Sequence, residues 1–305
     1  MNQVKNVIRI DNLSFGYRNK QVLDSICLDV PEGSIFGFLG PNGAGKTTTI
    51  KILLGLLKVD DGHVSLFEKD INTHRIEGLK STGAMVEDPS LYEHLNAREN
   101  LKINCAIRKI STTRIEEVLL QVGLTADAHR KVRNYSSGMK QRLALAQALL
   151  PSPKLLMLDE PINGLDPAGI IEIRNLLLDL NQNHGITVFL SSHILPEIEK
   201  LCSHVAVINK RNILYQGSMN GLLNTGINGA RLIVETDQPV KTKELLSRLY
   251  PVEVSGDHKI IVILSDRNEA KDVAKHLVDA GIGILLLQPE THELEASFLE
   301  LLKDN

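Results

Sequence analysis

Over the first forty residues the side chains either alternate apolar and polar or run apolar between turn residues. "VIRIDNLSFGY" and "DSICLDVPEGSIFGFLG" therefore predict strands. From "GKTTTIKILLGLL" the apolar period becomes helical, and most of 111–150 keeps it. "PKLLMLDEP" and "ITVFLSSH" are short apolar runs that suit strands buried on both faces of a parallel sheet. Between them "GIIEIRNLLLDLNQNHG" predicts a helix stopped by Gly185, which makes a strand, helix, strand unit. The pattern as a whole predicts an α/β domain with a parallel sheet and an antiparallel edge.

A Gly- and Asn-rich stretch, "QGSMNGLLNTGING", marks a boundary near residue 220. Beyond it "ARLIVET", "KTKELLSRLY", "KIIVILS", "EAKDVAKHLVDAG", "IGILLLQ" and "ELEASFLELL" read as strand, helix, strand, helix, strand, helix. Residues 1–220 and 221–305 are therefore expected to be two domains, the second a small α+β appendage.

Composition narrows the function classes. Apolar residues make up 43% and charged residues 23% of the 305, which permits a sizeable core. The net charge of −3 leaves no basic footprint for nucleic acid, and the appendage is the acidic part, with 9 Lys and Arg against 14 Asp and Glu. No apolar run reaches the roughly 18 residues of a membrane span, and the start "MNQVKNVIRI" lacks an apolar signal segment, so a cytosolic chain is expected. Cys27, Cys105 and Cys202 are odd in number and far apart, which predicts reduced filler residues.

The chemistry gathers where apolar strands end. "GPNGAGKT" follows the strand "SIFGFL" and opens a helix, the context in which a Gly-rich loop cradles phosphates. Gly40, Pro41, Asn42, Gly43, Ala44, Gly45, Lys46, Thr47 and Thr48 form this loop, and its backbone N–H groups, which Pro41 alone lacks, close around phosphate oxygens. Lys46 places an ammonium near the β and γ groups, and Thr47 offers a hydroxyl to Mg²⁺. Asp159 ends another strand, where a phosphate-loop enzyme holds its Mg²⁺, and Glu160 is placed to orient or deprotonate a water. His193 ends a third strand, and ligands of parallel sheets bind at those carboxyl ends. "YSSGMKQRLALAQALL" puts Ser136, Ser137 and Gly138 at a helix N-terminus, a second place built for an anion.

With these motifs in this order, residues 4–220 resemble the nucleotide-binding subunit of an ABC transporter. The resemblance implies a P-loop core with a helical subdomain at about 88–150, binding ATP and Mg²⁺. It implies that Tyr17 stacks on adenine, that Gly40 to Thr47 form the Walker A loop, and that Glu87 occupies the Q-loop position as a ligand facing Mg²⁺. It makes Asp159 the Walker B aspartate, Glu160 the catalytic base, Asp166 the D-loop residue and His193 the switch histidine, with "YSSGM" as the signature motif. In that family the signature of one subunit faces the γ-phosphate held by the other, so the resemblance implies a homodimer whose Ser136, Ser137 and Gly138 act in trans. The implied partner is a separate integral-membrane permease, with the chain peripheral to the inner face of the cell membrane.

Two departures stand out: Tyr135–Ser136–Ser137–Gly138–Met139 replaces Leu-Ser-Gly-Gly-Gln, and Glu87 replaces Gln. Both, with "FGFLGPNGAGKTTTIKIL", resemble the bacitracin and lantibiotic self-protection subfamily, which implies export of a peptide antibiotic. The alternative is a soluble or regulatory ABC ATPase that drives no transport itself. Against the translation and repair versions, this sequence carries neither a second nucleotide domain nor a long coiled coil.

Overall fold

The computed structural model describes residues 5–18, 20–87, 90–224, 230–255, 259–264 and 269–289, with positions 294, 295, 298 and 301 beyond them. These form two compact units, 1–222 and 223–305. Pro89, residues 225–229 of the Gly- and Asn-rich stretch, and most of "ELEASFLELL" lie outside the described residues.

In the first unit, β1 (Asn6–Tyr17), β2 (Lys20–Pro31), β4 (Asp61–Leu66) and β5 (Lys69–Asp70) make an antiparallel sheet in the order β2-β1-β4-β5. Burial alternates along β2 from Ile26 to Pro31 and, interrupted by register shifts, along β1, because one face of that sheet packs on the core and the other meets water. The second sheet has the order β10-β9-β3-β8-β7-β6, from β3 (Ile35–Leu39), β6 (Thr82–Met85), β7 (Leu155–Asp159), β8 (Thr187–Ser192), β9 (His204–Asn209) and β10 (Asn212–Ser218). Every pair is parallel except β9 with β10, which forms the antiparallel edge. All residues of β3, β7 and β8 are buried, as strands covered on both faces must be. Between the two sheets Phe189 stacks on Phe36 and meets Phe38 at a tilt, with ring centroids 5.8 and 5.7 Å apart, in one apolar layer with Ile8, Ile10, Leu28 and Ile50.

The helices of this unit are α1 (Lys46–Leu53), α2 (Arg75–Leu79), α3 (Ala97–Arg108), α4 (Arg114–Gln121), α5 (Ser137–Leu149), α6 (Pro167–Gln182) and α7 (Leu195–Leu201), and α8 (Met219–Asn224) runs across the boundary at 222–223. Asn96 and Glu99 form a reciprocal capping box that starts α3. Asp166 caps α6 with Pro167 behind it, and Ile173, Leu176, Leu177 and Leu180 are its buried stripe. The helical period across 111–150 is interrupted: from Val122 to Ser136 the chain is turns with one 3₁₀ turn, Val132–Asn134. The interruption fits Gly123 at positive φ just after α4. Cys105 and Cys202 are buried, Cys27 is exposed, and all three are free thiols. Among the described residues no helix is long and apolar enough to cross a membrane.

The second unit departs from the sequence pattern by one strand. Its elements are β11 (Ala230–Thr236), α9 (Pro239–Leu246), β12 (Val252–Ser255), β13 (Lys259–Leu264), α10 (Ala270–Asp279) and β14 (Ile284–Pro289). "VEVS" is too short to show a period, yet it pairs antiparallel with β13 through Val252 and Val254. The result is βαββαβ with sheet order β12-β13-β11-β14, a ferredoxin-like split βαβ arrangement. Leu232, Val234, Ile260, Val262 and Leu264 form a core with Leu246 of α9 and with Val273 and Leu277 of α10.

One buried side chain holds the loop ahead of α3. Asn100 is fully buried, accepts the Tyr92 N–H at 2.9 Å, and donates to the Tyr92 and Asn96 carbonyls at 3.1 and 2.9 Å. Asn100→Ala strands the Tyr92 N–H and should cost about 1–3 kcal/mol. In a unit of this size that lowers the thermal unfolding midpoint by roughly 2–12 °C, read by circular dichroism; an unchanged midpoint would show that the loop is held by other contacts.

Candidate functional site

The ends of three adjacent parallel strands build the site. β3 runs into the loop at Gly40, where any Cβ would lie 2.4 Å from the Ile208 carbonyl oxygen of neighbouring β9. The loop turns into α1 through Gly45 at φ +113, a conformation closed to other residues, with Leu23 of β2 packed against it. The chain between them wraps back so that the buried Lys46 ammonium donates to the Gly40 carbonyl at 2.8 Å. The backbone N–H groups at the start of α1 lack helical partners and carry the positive end of the helix dipole, so the loop is an anion cradle.

Next to it, β7 ends in Asp159, whose two carboxylate oxygens serve two elements. One accepts the Thr47 hydroxyl of α1 at 2.8 Å, and the other accepts the Ser191 hydroxyl of β8 at 2.6 Å. Ser191 in turn accepts the Glu160 N–H at 3.0 Å, which fixes the backbone where Glu160 takes φ +48. The Glu160 carboxylate then lies between two cationic or ionisable groups. Its Oε1 is 3.3 Å from the Lys46 ammonium and its Oε2 is 2.9 Å from His193 Nδ1, just past β8. Glu160 is thus a positioned carboxylate at the mouth of the phosphate cradle, and Thr47 beside Asp159 is a pair of hard oxygen donors of the sort Mg²⁺ accepts.

Tyr17, Pro41 to Thr48, Glu160 and His193 line a single cavity of about 840 Å³. Its wall also includes Lys20, Gln21, Val22, Asn163, Asn209, Lys210 and Arg211. Tyr17 is exposed at the rim and stands edge-on to Phe15, with centroids 5.1 Å apart. Gly40 and Asp159 lie behind this wall rather than in it. Glu87 is elsewhere: at φ +59 it pairs with Lys51 of α1 at 2.6 Å, and this hydrogen bond holds the Lys51 ammonium above the usual lysine range.

Ser136, Ser137, Gly138 and Asp166 are also absent from the cavity wall. They make a second patch. The Ser136 side chain caps α5 by accepting the Met139 N–H, Ser136 and Ser137 are exposed, and Gly138 lies against Gly169 of α6, which Asp166 caps. Tyr135 points inward instead, buried with its hydroxyl donating to the Asp127 carbonyl at 2.7 Å, so the tyrosine in the signature is a packing residue.

Sequence reasoning did not single out Ser191, Lys51 or the 209–211 turn. Ser191 left one trace, a hydroxyl that directly follows the apolar run Val188–Phe189–Leu190 of its strand. Lys51 and Arg211 left none, because their partners lie in other elements.

The comparisons with known proteins agree with this geometry. Residues 23–163 match the ABC transporter family. The bacitracin transport ATP-binding protein of Bacillus licheniformis is 38% identical over 299 residues, 97% of each chain. The lantibiotic transport ATP-binding protein of Streptococcus pyogenes is 38% identical over 218 residues, 72% of this chain and 93% of that protein. A solved ATP-binding subunit of an ABC transporter superposes with a TM-score of 0.63 at 27% identity, over 71% of this chain and 91% of its own. Phosphate cradle, positioned carboxylates and full-length relatives lead to one conclusion: the chain belongs to the ABC transporter ATP-binding proteins and is an ATP-binding, ATP-hydrolysing subunit.

Proposed function

We propose that this chain is the motor subunit of an exporter for a peptide antibiotic or a related compound. In this reading it works as a homodimer docked on a separate membrane permease at the inner face of the cell membrane. The observation that carries the ATPase part is the Glu160 carboxylate, held between Lys46 and His193 at the phosphate cradle. Glu160 accepts a proton from the water that attacks the γ-phosphorus, the bond to the β-phosphate breaks, and the Lys46 ammonium meets the charge that develops. His193 orients Glu160. Tyr17 stacks on the adenine, and the N–H groups from Asn42 to Thr48 hold the phosphates. Mg²⁺ would be held by Thr47 and Asp159 and would neutralise charge on the phosphates. Glu87 is the further ligand that the family resemblance implies, although its carboxylate is engaged by Lys51.

The exposed signature patch supports the dimer. Ser136, Ser137 and the N-terminus of α5 carry anion-binding groups that line no part of this chain's own cavity, so the phosphate they serve is a second copy's. The names of the bacitracin and lantibiotic relatives support the cargo. Exposed Tyr92, next to half-buried Leu91 and Leu95, supports a groove for a short permease helix, because a side chain packing the subdomain core would be covered.

Glu160→Gln should abolish steady-state hydrolysis, by at least about a hundredfold, while ATP binding persists and the protein accumulates as an ATP-held dimer on gel filtration. Near wild-type turnover would remove Glu160 from the role of base. Lys46→Ala and Ser136→Arg homodimers should each be inactive, yet mixing them leaves one interface site with both halves intact, so hydrolysis should recover in part. Heterodimers shown to form without recovery would count against the shared site. Tyr92→Ala with Leu95→Ala should leave basal hydrolysis of the purified subunit intact but reduce its co-purification with membranes. Loss of basal hydrolysis would instead mark these residues as core packing.

A further inference from the structure

The turn between β9 and β10 breaks its own local rules, and it does so on the cavity wall. β9 ends at Asn209 and β10 begins at Asn212, with Asn209 and Asn212 paired, so Lys210 and Arg211 alone make the connection. Both have positive φ, +43 and +79, the pattern of a type I′ hairpin turn. That turn selects Asn-Gly or Asp-Gly, because long L side chains strain in the left-handed region. Here two long basic side chains occupy it.

The strain is held in place from outside the hairpin. The Arg211 carbonyl accepts the Asp24 N–H of β2 at 3.0 Å, and the Arg211 guanidinium reaches the Gln21 side chain at 3.5 Å. Gln21, Asn209, Lys210 and Arg211 all line the cavity that contains the phosphate cradle, and Lys20 adds a third cation to the same rim. Backbone strain at a site, pinned by a neighbouring strand, is the mark of a side chain held for a purpose. A cationic rim on a cavity that receives a tri- or tetra-anion strengthens both capture and retention.

We propose that the Lys210–Arg211 turn is a basic clamp that binds the polyphosphate-bearing ligand from the rim opposite in sequence to the Gly40–Thr48 loop. The clamp rests on the cavity being the nucleotide site. It assigns an affinity role to an edge hairpin that carries none of the motifs recognised in the sequence.

The test exploits the strain. In the full chain, Lys210→Asn with Arg211→Gly restores the residues the turn prefers, so the thermal midpoint should stay level or rise. The Kd for ATP, read by isothermal titration calorimetry, should nevertheless weaken about fivefold at low salt. The difference should shrink below about twofold at roughly 0.5 M salt, where rim charges are screened. Lys210→Gln with Arg211→Gln keeps the strained turn and should weaken binding equally without stabilising the fold. If both variants bind ATP as tightly as wild type at low salt, the clamp is overturned while the nucleotide site stands. If wild type itself binds no ATP, the cavity assignment and the clamp fall together.

Discussion

The site hangs on one buried carboxylate. Asp159 is 7% exposed, and a charge so far out of water is tolerated only where its oxygens are satisfied. The Thr47 hydroxyl takes one oxygen and the Ser191 hydroxyl the other, so α1, β7 and β8 are tied at a single point. Everything nearby inherits that register. Ser191 holds the Glu160 backbone, Glu160 reaches Lys46 and His193, and Lys46 closes the loop on the Gly40 carbonyl. Removing one partner from such a set leaves a desolvated group behind, which is why these residues act as a unit rather than as separate contributors.

Much of this was legible along the chain, for a definite reason. Gly40–Thr48 has a strand before it and a helix after it, and both signals are local. Asp159 and His193 were legible as strand ends because a parallel sheet gathers such ends at one edge. What could not be read was pairing across distance. Ser191 and Asp159 are 32 residues apart, and Lys51 and Glu87 are 36 apart. No periodicity brings such residues together; only the strand order does. The four-residue strand Val252–Ser255 escaped for the opposite reason, since two alternating valines are too short a pattern to outweigh the Pro and Gly that flank them.

Positive φ is informative here only in combination with place. Phe67 and Glu68 adopt it too, in the turn between β4 and β5, and Asn12 adopts it at an irregularity in β1, and none of the three lines the cavity. At Glu160 the same conformation turns the chain so that a carboxylate next to the buried Asp159 faces the cavity mouth. At Lys210 and Arg211 it lies in a hairpin that a Gly could close without strain. The difference between the groups is the cavity they line, not the dihedral itself.

The Glu87 substitution has a physical consequence that the family pattern does not provide. Gln at this position would offer an ammonium an uncharged acceptor, whereas Glu87 adds a full negative charge and forms an ion pair with Lys51. Lys51 lies on the same eight-residue helix whose first residues are Lys46 and Thr47. Five residues of helix span about 7.5 Å, less than two turns, so the phosphate-binding end and the Glu87-binding end move as one rod. Both partners of the pair are partly in water, with the Glu87 side chain 65% exposed, and exposed ion pairs contribute about 0–1 kcal/mol. At about the thermal energy, the pair links α1 to Glu87 without fixing either, so the helix that is firmly held at its phosphate end is only lightly held at the other.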